Sequence, residues 1–362
     1  MKIVSKPAGT PGKVWDKAWP EDALEALGKC PVCETAQRSI LHADIVDNTF
    51  FCAPGKWQLW KCAKCQSGYL DPRPTRDTIG EAYKSYYTHG TNITNTEYKD
   101  LGRFRKIRRQ LVNGYTRARF GSPEEPQSPF GNWLFTFAPL LNRIPDRWYR
   151  NIPRANPGSN KLLDIGCGDG EFLGLAKSCG WDVFGLEPDN NAVQVARSKG
   201  LDVVNAGEEY FDGREDRFDV ITLSHVIEHL HDPLNSLHRC FGLLKPGGSI
   251  WIETPNVDSL GGRAFGPNWR GWETPRHLVL FNRSSLHQSL SRAGFSQITN
   301  VRSPNHASWT FKVSQAMAMG CSPDEAVDLG RIFKARARVA NWLGTIFPTR
   351  KEFLTVMASK PS

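Results

Sequence analysis

Long apolar runs are missing from this chain. Charged or polar residues interrupt every apolar stretch well short of the ~18 residues a bilayer-spanning helix needs, so no transmembrane helix is expected. The first thirty residues carry Pro, Gly and charges but no apolar signal-peptide core, which points to a cytoplasmic protein. A pairable cysteine set is also missing. Nine cysteines cannot all form disulfides, and in a reducing compartment they serve as metal ligands or buried thiols. Internal repeats and low-complexity segments are absent as well. Acidic residues are in the minority: Lys+Arg 46 against Asp+Glu 37 gives a net charge of +9. That balance excludes an acidic-tail protein and leaves nucleic acid, anionic membrane and phosphorylated substrates open. What is present, 40% hydrophobic and 23% charged residues over 362, is globular and long enough for two or three domains.

Two CxxC units, Cys30-Pro-Val-Cys33 and Cys62-Ala-Lys-Cys65, stand 28 residues apart. A two-residue spacer lets both thiolates of a turn face one ion, and two such turns make a closed tetrahedral site. Residues Phe50–Trp60 can fill the gap with a hairpin. Cys30, Cys33, Cys62 and Cys65 therefore read as ligands of a structural zinc. Single redox CxxC units on a thioredoxin-like βαβ, or plain buried cysteines, are the competing interpretations. Cys52, Cys167, Cys179, Cys240 and Cys321 lack metal spacing and read as packing residues.

Lys161-Leu-Leu-Asp-Ile-Gly-Cys-Gly-Asp-Gly170 is an apolar strand entering a Gly-x-Gly-x-Gly turn, with a helix after it. Glycines there permit positive φ and close approach of backbone to a ligand. Seventeen residues on, Glu187 ends a second strand, where an acid can accept both hydroxyls of a ribose. The same glycine pattern serves dinucleotides, so the loop alone does not decide. The fuller wording does: LLDIGCGDG, then GLEPD, then Arg217–Leu223 as a strand, Leu243-Leu-Lys-Pro-Gly-Gly248, and strand Ser249–Glu253 with Thr254-Pro-Asn256.

With these motifs the chain resembles class I S-adenosylmethionine-dependent methyltransferases. The resemblance covers about residues 160–302 plus Phe353–Ala358. It implies an α/β, seven-stranded doubly wound (Rossmann-like) sheet with the cofactor at the carboxyl ends of the strands. It also implies that Asp164, Gly166, Cys167, Gly168, Gly170, Glu187, Pro188 and Ser224 contact S-adenosyl-L-methionine. The expected organisation is a zinc ribbon over 1–75, a helical basic and aromatic linker or lid over 76–155 and the methyltransferase domain over 156–302. A helical insertion over 303–350 and the last strand of the sheet within 351–362 complete it.

Candidates for the chemistry follow the fourth strand. His225, Glu228 and His229 lie at i, i+3 and i+4, which on a helix is one face, and His277 comes after the fifth strand. One histidine, best His225 or His229, serves as general base. Alternatively His225, Glu228, His229 and His277 hold a second divalent metal that lowers the pKa of an acceptor hydroxyl, or Glu228 and His229 are structural. Similar ExxEH sets occur in small-RNA 2′-O-methyltransferases and ubiquinone-pathway O-methyltransferases, with His225 standing where those have Glu. The segment Gly261–Phe281 is expected to fold over the pocket, with Trp269 and Trp272 on a sugar ring or flat aromatic and Arg270 and Arg276 near a phosphate.

Between Lys99 and Arg119 lies a net +7 of the chain's +9, on a helix whose apolar residues Leu101, Phe104, Ile107, Leu111, Val112 and Tyr115 recur at helical spacing. A solvated face, a clamp for a phosphorylated substrate, an anionic-lipid surface and RNA all remain open for it. Residues 130–150 add aromatic surface, suited to a lid or a membrane interface. The resulting expectation is methyl transfer to a hydroxyl of a small-molecule or glycan acceptor, phosphorylated or lipid-linked, as in bacterial polysaccharide-pathway methyltransferases. Sugar C-methylation, RNA methylation and a non-catalytic cofactor-binding module are the alternatives.

Overall fold

The structure, a computed structural model, describes residues 14–83, 101–138, 142–156, 158–322 and 330–362. Short strands come first: β1 (Leu24–Glu25), β2 (Arg38–Ile45), β3 (Trp57–Cys62), β4 (Gly68–Leu70) and β5 (Arg73–Pro74). Three helices follow, α1 (Arg103–Phe120), α2 (Phe130–Phe137) and α3 (Arg143–Trp148). Strands and helices then alternate through β6 (Lys161–Ile165), α4 (Glu171–Ser178), β7 (Asp182–Leu186), α5 (Asn190–Ser198), β8 (Val203–Val204) and β9 (Phe218–Ser224). Next are α6 (Pro233–Leu243), β10 (Leu244–Pro255), α7 (Leu260–Phe265), β11 (Val279–Leu280), α8 (Arg283–Arg292) and β12 (Ser296–Asn300). Helices α9 (Ala307–Ala318) and α10 (Gly330–Ile346) precede β13 (Phe353–Ser359).

The seven-stranded sheet has the order β12-β13-β10-β9-β6-β7-β8. Pairing is parallel from β8 to β10 and antiparallel where β13 meets β10 and β12. The chain runs outward from β6 in one direction and from β9 in the other, so a crevice opens at the carboxyl ends of these two neighbours, where open α/β sheets bind ligands. Apolar runs make this possible: Leu162, Leu163, Ile221, Leu223, Ile250 and Ile252 are buried, as parallel strands covered on both faces require. Side chains set the helix starts. Asp189 accepts from Asn191 N to begin α5, Asp232 accepts from Asn235 N with Pro233 as the first residue of α6, and Asn282 and Ser285 form a reciprocal cap on α8.

The amino-terminal strands form a four-stranded sheet in the order β11-β4-β3-β2. Its hairpin arms are β2 and β3, so the hairpin expected within Phe50–Trp60 instead starts upstream at Arg38, and only Trp57–Trp60 of that stretch lie in a strand. Strand β11 comes from the far side of the chain, Val279 pairing Tyr69 and Leu280 pairing Gly68. The segment 261–281 therefore docks the amino-terminal sheet instead of covering the crevice. Trp269 and Trp272 are buried against each other, with Trp269 Nε1 donating to Glu352 Oε2 at 2.9 Å and Trp272 Nε1 to Gly266 O at 2.7 Å. Arg270 pairs with Glu273, and Arg276 is held by Asp47 and Glu273. None of these four side chains lines the cavity between α1, α3 and the sheet. Arg276 and Trp272 reach the amino-terminal unit through Asp47 and His42, Trp269 is tied to Glu352, and Arg270 pairs within its own segment.

Helices α1 and α3 lie over the crevice, with α2 packed on α1. Tyr115 donates to Asp146 Oδ1 at 2.6 Å, and Phe120 stacks on Tyr149 with centroids 4.6 Å apart. The backbones of α1 and α2 approach so closely that a Cβ on Gly131 would sit 1.9 Å from Leu111 O. Lys99, Pro139, Leu140, Leu141 and the start of the tail segment at Pro323 lie outside the described residues. No described helix is long and apolar enough to cross a membrane.

Candidate active site

The turn after β6 is built on three left-handed glycines, Gly166 (φ 68°), Gly168 (φ 56°) and Gly170 (φ 78°). Gly166 and Cys167 donate their N–H groups to Leu186 O at 2.7 and 3.1 Å, which lays the loop across the end of β7. There Glu187 accepts from Gly168 N at 2.8 Å and from Asp189 N at 2.9 Å. Both bonds orient the carboxylate at the end of β7. Asn205 Nδ2 ties down Pro188 O at 2.8 Å. Cys167 is buried under Gly185, where an added Cβ would come within 2.7 Å of its sulfur.

Asp164 is wholly buried at the end of β6. Its Oδ1 accepts from Arg150 and from Thr222 Oγ1, but Oδ2 has no partner among the described residues. Burying an unpaired carboxylate oxygen is costly, so a hydrogen-bond donor of a bound ligand would suit this position. Arg150 spans the crevice with its guanidinium 3.8 Å from the Phe172 ring centroid and 5.4 Å from that of Trp251. Arg150 and Asn151 both hold positive φ, 49° and 57°, a strained pair of the kind that clusters at ligand sites.

A cavity of about 1030 Å³ opens between α1, α3 and the sheet, walled by Arg105, Arg108, Arg147, Arg150, Trp148, Phe172, Ser224, Trp251 and Glu253 among others. Arg147 Nε, Trp251 Nε1 and, close to the same acid, His306 Nε2 are buried without partners among the described residues. Asp164 Oδ2 for an ammonium, Arg150 for a carboxylate, Glu187 for a ribose and the glycine cradle together fit S-adenosylmethionine.

Beyond Ser224 the chain does not enter the expected helix. His225 has φ 55°, and the short 3-10 turn Ile227–His229 follows it. His225 Nδ1 lies 3.3 Å from Glu228 Oε1, and its Nε2 lies 3.6 Å from Glu253 Oε1. Glu253 in turn takes Arg147 Nη2 at 2.9 Å and Thr355 Oγ1 at 3.0 Å. The His225 side chain keeps 35% exposure beside the cavity, whereas Glu228 is fully buried and accepts from Thr254 Oγ1 at 2.9 Å.

His229 and His277 lie on the other side of Glu228, their rings 4.7 Å apart. His229 Nδ1 is 3.1 Å from Arg276 O and 3.0 Å from Tyr83 OH, and His277 Nδ1 is 2.7 Å from Gly271 O. The group whose ligand atoms all lie within 4.8 Å of one another is Glu228, His229 and His277, without His225. The four residues named from sequence thus divide into a histidine flanked by carboxylates and a separate two-histidine, one-carboxylate set.

Burial works against charge on His225, but its contacts to Glu228 and Glu253 outweigh that and push its pKa up to about 9. Burial would raise Glu253, yet His225 and Arg147 hold it down to about 2. These shifts predict the pH profile of stability. Glu253 contributes above its ordinary 4.5 and loses that contribution as pH falls toward 2. His225 contributes below its ordinary 6.5 and loses its share as pH rises through about 9. The melting temperature should therefore peak between these limits, and a scan that rises steadily up to pH 9 would contradict the pairing.

At the amino terminus the Cys30 and Cys65 sulfurs are 3.6 Å apart and those of Cys33 and Cys62 3.5 Å, with all four inside 4.8 Å. Tetrahedral zinc with ~2.3 Å bonds to sulfur separates its ligands by about 3.8 Å, so this quartet fits the ion.

Sequence reasoning missed Arg147, Arg150, Trp251 and Glu253. Only Glu253 left a signal, as a charge closing the apolar run Ile250–Ile252.

Residues 139–300 match the family model of a methyltransferase domain. A ubiquinone biosynthesis O-methyltransferase of Alkalilimnicola ehrlichii is 38% identical over 104 residues, covering 26% of this chain and 42% of the relative. Another, from Aliivibrio fischeri, is 32% identical over 128 residues, covering 33% and 55%. The chain thus spans about half the length of the curated relatives it matches. The solved structure of an S-adenosylmethionine-dependent methyltransferase from Archaeoglobus fulgidus aligns with 62% of this chain and 94% of its own, at 21% identity and a TM-score of 0.41. Family match, strand order and glycine loop agree: the chain carries a class I S-adenosylmethionine-dependent methyltransferase domain.

Proposed function

We propose that this protein transfers a methyl group from S-adenosylmethionine to a hydroxyl of a small-molecule acceptor seated in the cavity under α1 and α3. The observation that carries this reading is His225, placed between two carboxylates beside Ser224 and Glu253 of the cavity wall. Bound S-adenosylmethionine would supply an electrophilic methyl on a sulfonium. This chain's share is to hold the donor, orient the acceptor and take its proton. Asp164, Glu187 and Arg150 hold the donor. His225 accepts the proton, with Glu228 fixing its ring and Glu253 stabilising the imidazolium that forms. The relatives are O-methyltransferases, which supports oxygen as the acceptor atom.

The acceptor we favour is a sugar or sugar-linked molecule bearing a phosphate or similar anionic group. Arg105 and Arg108 face the cavity without an ion pair among the described residues, and Trp148, 57% exposed, offers a flat face for a ring. The four cysteines would hold a structural zinc that keeps the amino-terminal sheet folded.

Transfer should quicken as pH rises toward about 9, where His225 loses its proton. His225→Asn is expected to slow turnover about 10²–10⁴-fold while cofactor affinity, read by calorimetry, stays near wild type. Incubating the enzyme with labelled cofactor and sugar phosphates should yield a product heavier by one CH₂. A rate unchanged in His225→Asn would remove the base. A second reading has its own observation, the Glu228–His229–His277 set with both Nδ1 atoms beside backbone carbonyls, an arrangement that leaves Nε2 for a divalent ion. Activity that a chelator abolishes and added divalent ion restores, with zinc still in the cysteine site, would favour it.

A further inference from the structure

Three helices expose apolar stripes to solvent. On α2 the stripe is Phe130, Trp133 and Phe137 at i, i+3 and i+7, the last 73% exposed, while Gly131 and Phe135 face inward. On α10 it is Ile332, Val339, Trp342 and Ile346, with Ile332 80% exposed, on the side away from buried Ala337, Ala340 and Gly344. On α1 it is Phe104, 89% exposed, with Ile107. These helices are tied to one another. Gly131 abuts the Leu111 backbone, Tyr115 bonds Asp146, and Arg143 at the start of α3 donates to Thr345 near the end of α10 at 3.3 Å. The α3 residues between them, Ile144 and Trp148, are exposed as well.

The charge on α1 and α10 is basic. Helix α1 carries seven basic residues and α10 carries Arg331, Lys334, Arg336 and Arg338, with no acid in either helix. On α1, Arg105 and Arg108 turn to the cavity and Arg109, Arg117 and Arg119 pair with Glu124, Glu125 and Asp146, while Arg103 and Lys106 stand beside Phe104 and Ile107. Monomeric proteins rarely leave contiguous apolar area of this kind to water. Rings and aliphatic groups flanked by arginines match the boundary of an anionic bilayer, where each basic residue near the surface adds attraction and the apolar face enters the headgroup layer.

We propose that α1, α2, α3 and α10 form a docking surface for an anionic lipid bilayer. Ile144 and Trp148 belong both to this surface and to the cavity wall, so docking brings the cavity mouth to the lipid. The inference needs no assumption about the transferred group.

The test is co-sedimentation of the full chain with phosphatidylglycerol/phosphatidylcholine vesicles against phosphatidylcholine alone. Binding is expected with the anionic vesicles, weakening as salt rises, with a blue shift of tryptophan emission. Phe137→Glu and, separately, Trp342→Glu should each weaken it about tenfold or more. Both residues point into solvent, so circular dichroism should match wild type. The proposal is overturned by absence of binding at low salt, or by binding that neither substitution changes. Sedimentation velocity showing a dimer that Phe137→Glu dissociates would overturn it too, by assigning the face to a second copy of the chain.

Discussion

Cys62→Ser is expected to release zinc, unfold the amino-terminal sheet and abolish methyl transfer. Structural zinc in a four-thiolate site contributes ~10–16 kcal/mol at neutral pH, as much as the whole stability of an ordinary domain, about 5–15 kcal/mol. The quartet sits in a buried cluster that runs from Trp19, Val32 and Trp57 through Leu278 and Phe281 into the seven-stranded sheet, so losing the ion loosens that shared packing. The damage would not stay local. Asn282 Nδ2 donates to Cys65 O at 3.0 Å, β11 pairs with β4, and Tyr83 OH reaches His229 Nδ1 at 3.0 Å. Arg276, fully buried, is neutralised by Asp47 of the amino-terminal unit together with Glu273. Losing one partner of such a buried pair typically costs 3–5 kcal/mol, because the remaining charge is left uncompensated. The ion in this account lies far from the reacting atoms and acts by holding the segment 271–277 beside Glu228. Elemental analysis should give one zinc per chain in the wild type and none in Cys62→Ser, with a lower melting temperature and no product. A variant without zinc that melts and turns over like wild type would dispose of the structural role.

How much of this was readable beforehand depended on whether a residue's partner lies near it in sequence. The glycine loop, Glu187 and the strands around them announce themselves through local wording, and the cysteine pairs through their spacing. Strand β11 does not, because the edge that captures Val279 and Leu280 is formed by Gly68 and Tyr69, about two hundred residues earlier. Trp269 and Trp272 looked like lid residues in a glycine- and proline-rich stretch, but the same composition suits a segment bending between two packed sheets. The i, i+3, i+4 spacing of His225, Glu228 and His229 suggested one helical face. A positive φ at His225 turns it toward Glu253 and breaks that face. Arg150 was invisible for a further reason: its partner Asp164 looked complete as a cofactor residue, and nothing in the loop before β6 marks an arginine that folds back over it.

Gly166→Ala is expected to weaken cofactor binding by about a hundredfold or more, which corresponds to about 2.7 kcal/mol. Two costs add at this position. Its φ of 68° is left-handed, which costs an L-residue roughly 1–2 kcal/mol. The new Cβ would also stand 2.5 Å from Val226 Cγ2, far inside contact distance, so the loop after β9 must move. That loop carries His225, hence the substitution should lower turnover as well as affinity. Val226→Ala in the same chain removes the methyl that clashes and leaves only the backbone cost, so the double variant should recover part of the affinity. Gly242→Ala serves as the control, since a Cβ there meets nothing within 4 Å and the residue lies inside α6. It should bind cofactor like wild type and gain a few tenths to about 1 kcal/mol in stability. Calorimetric titration with S-adenosylmethionine separates the outcomes. Wild-type affinity in Gly166→Ala would mean that the turn after β6 does not cradle the cofactor.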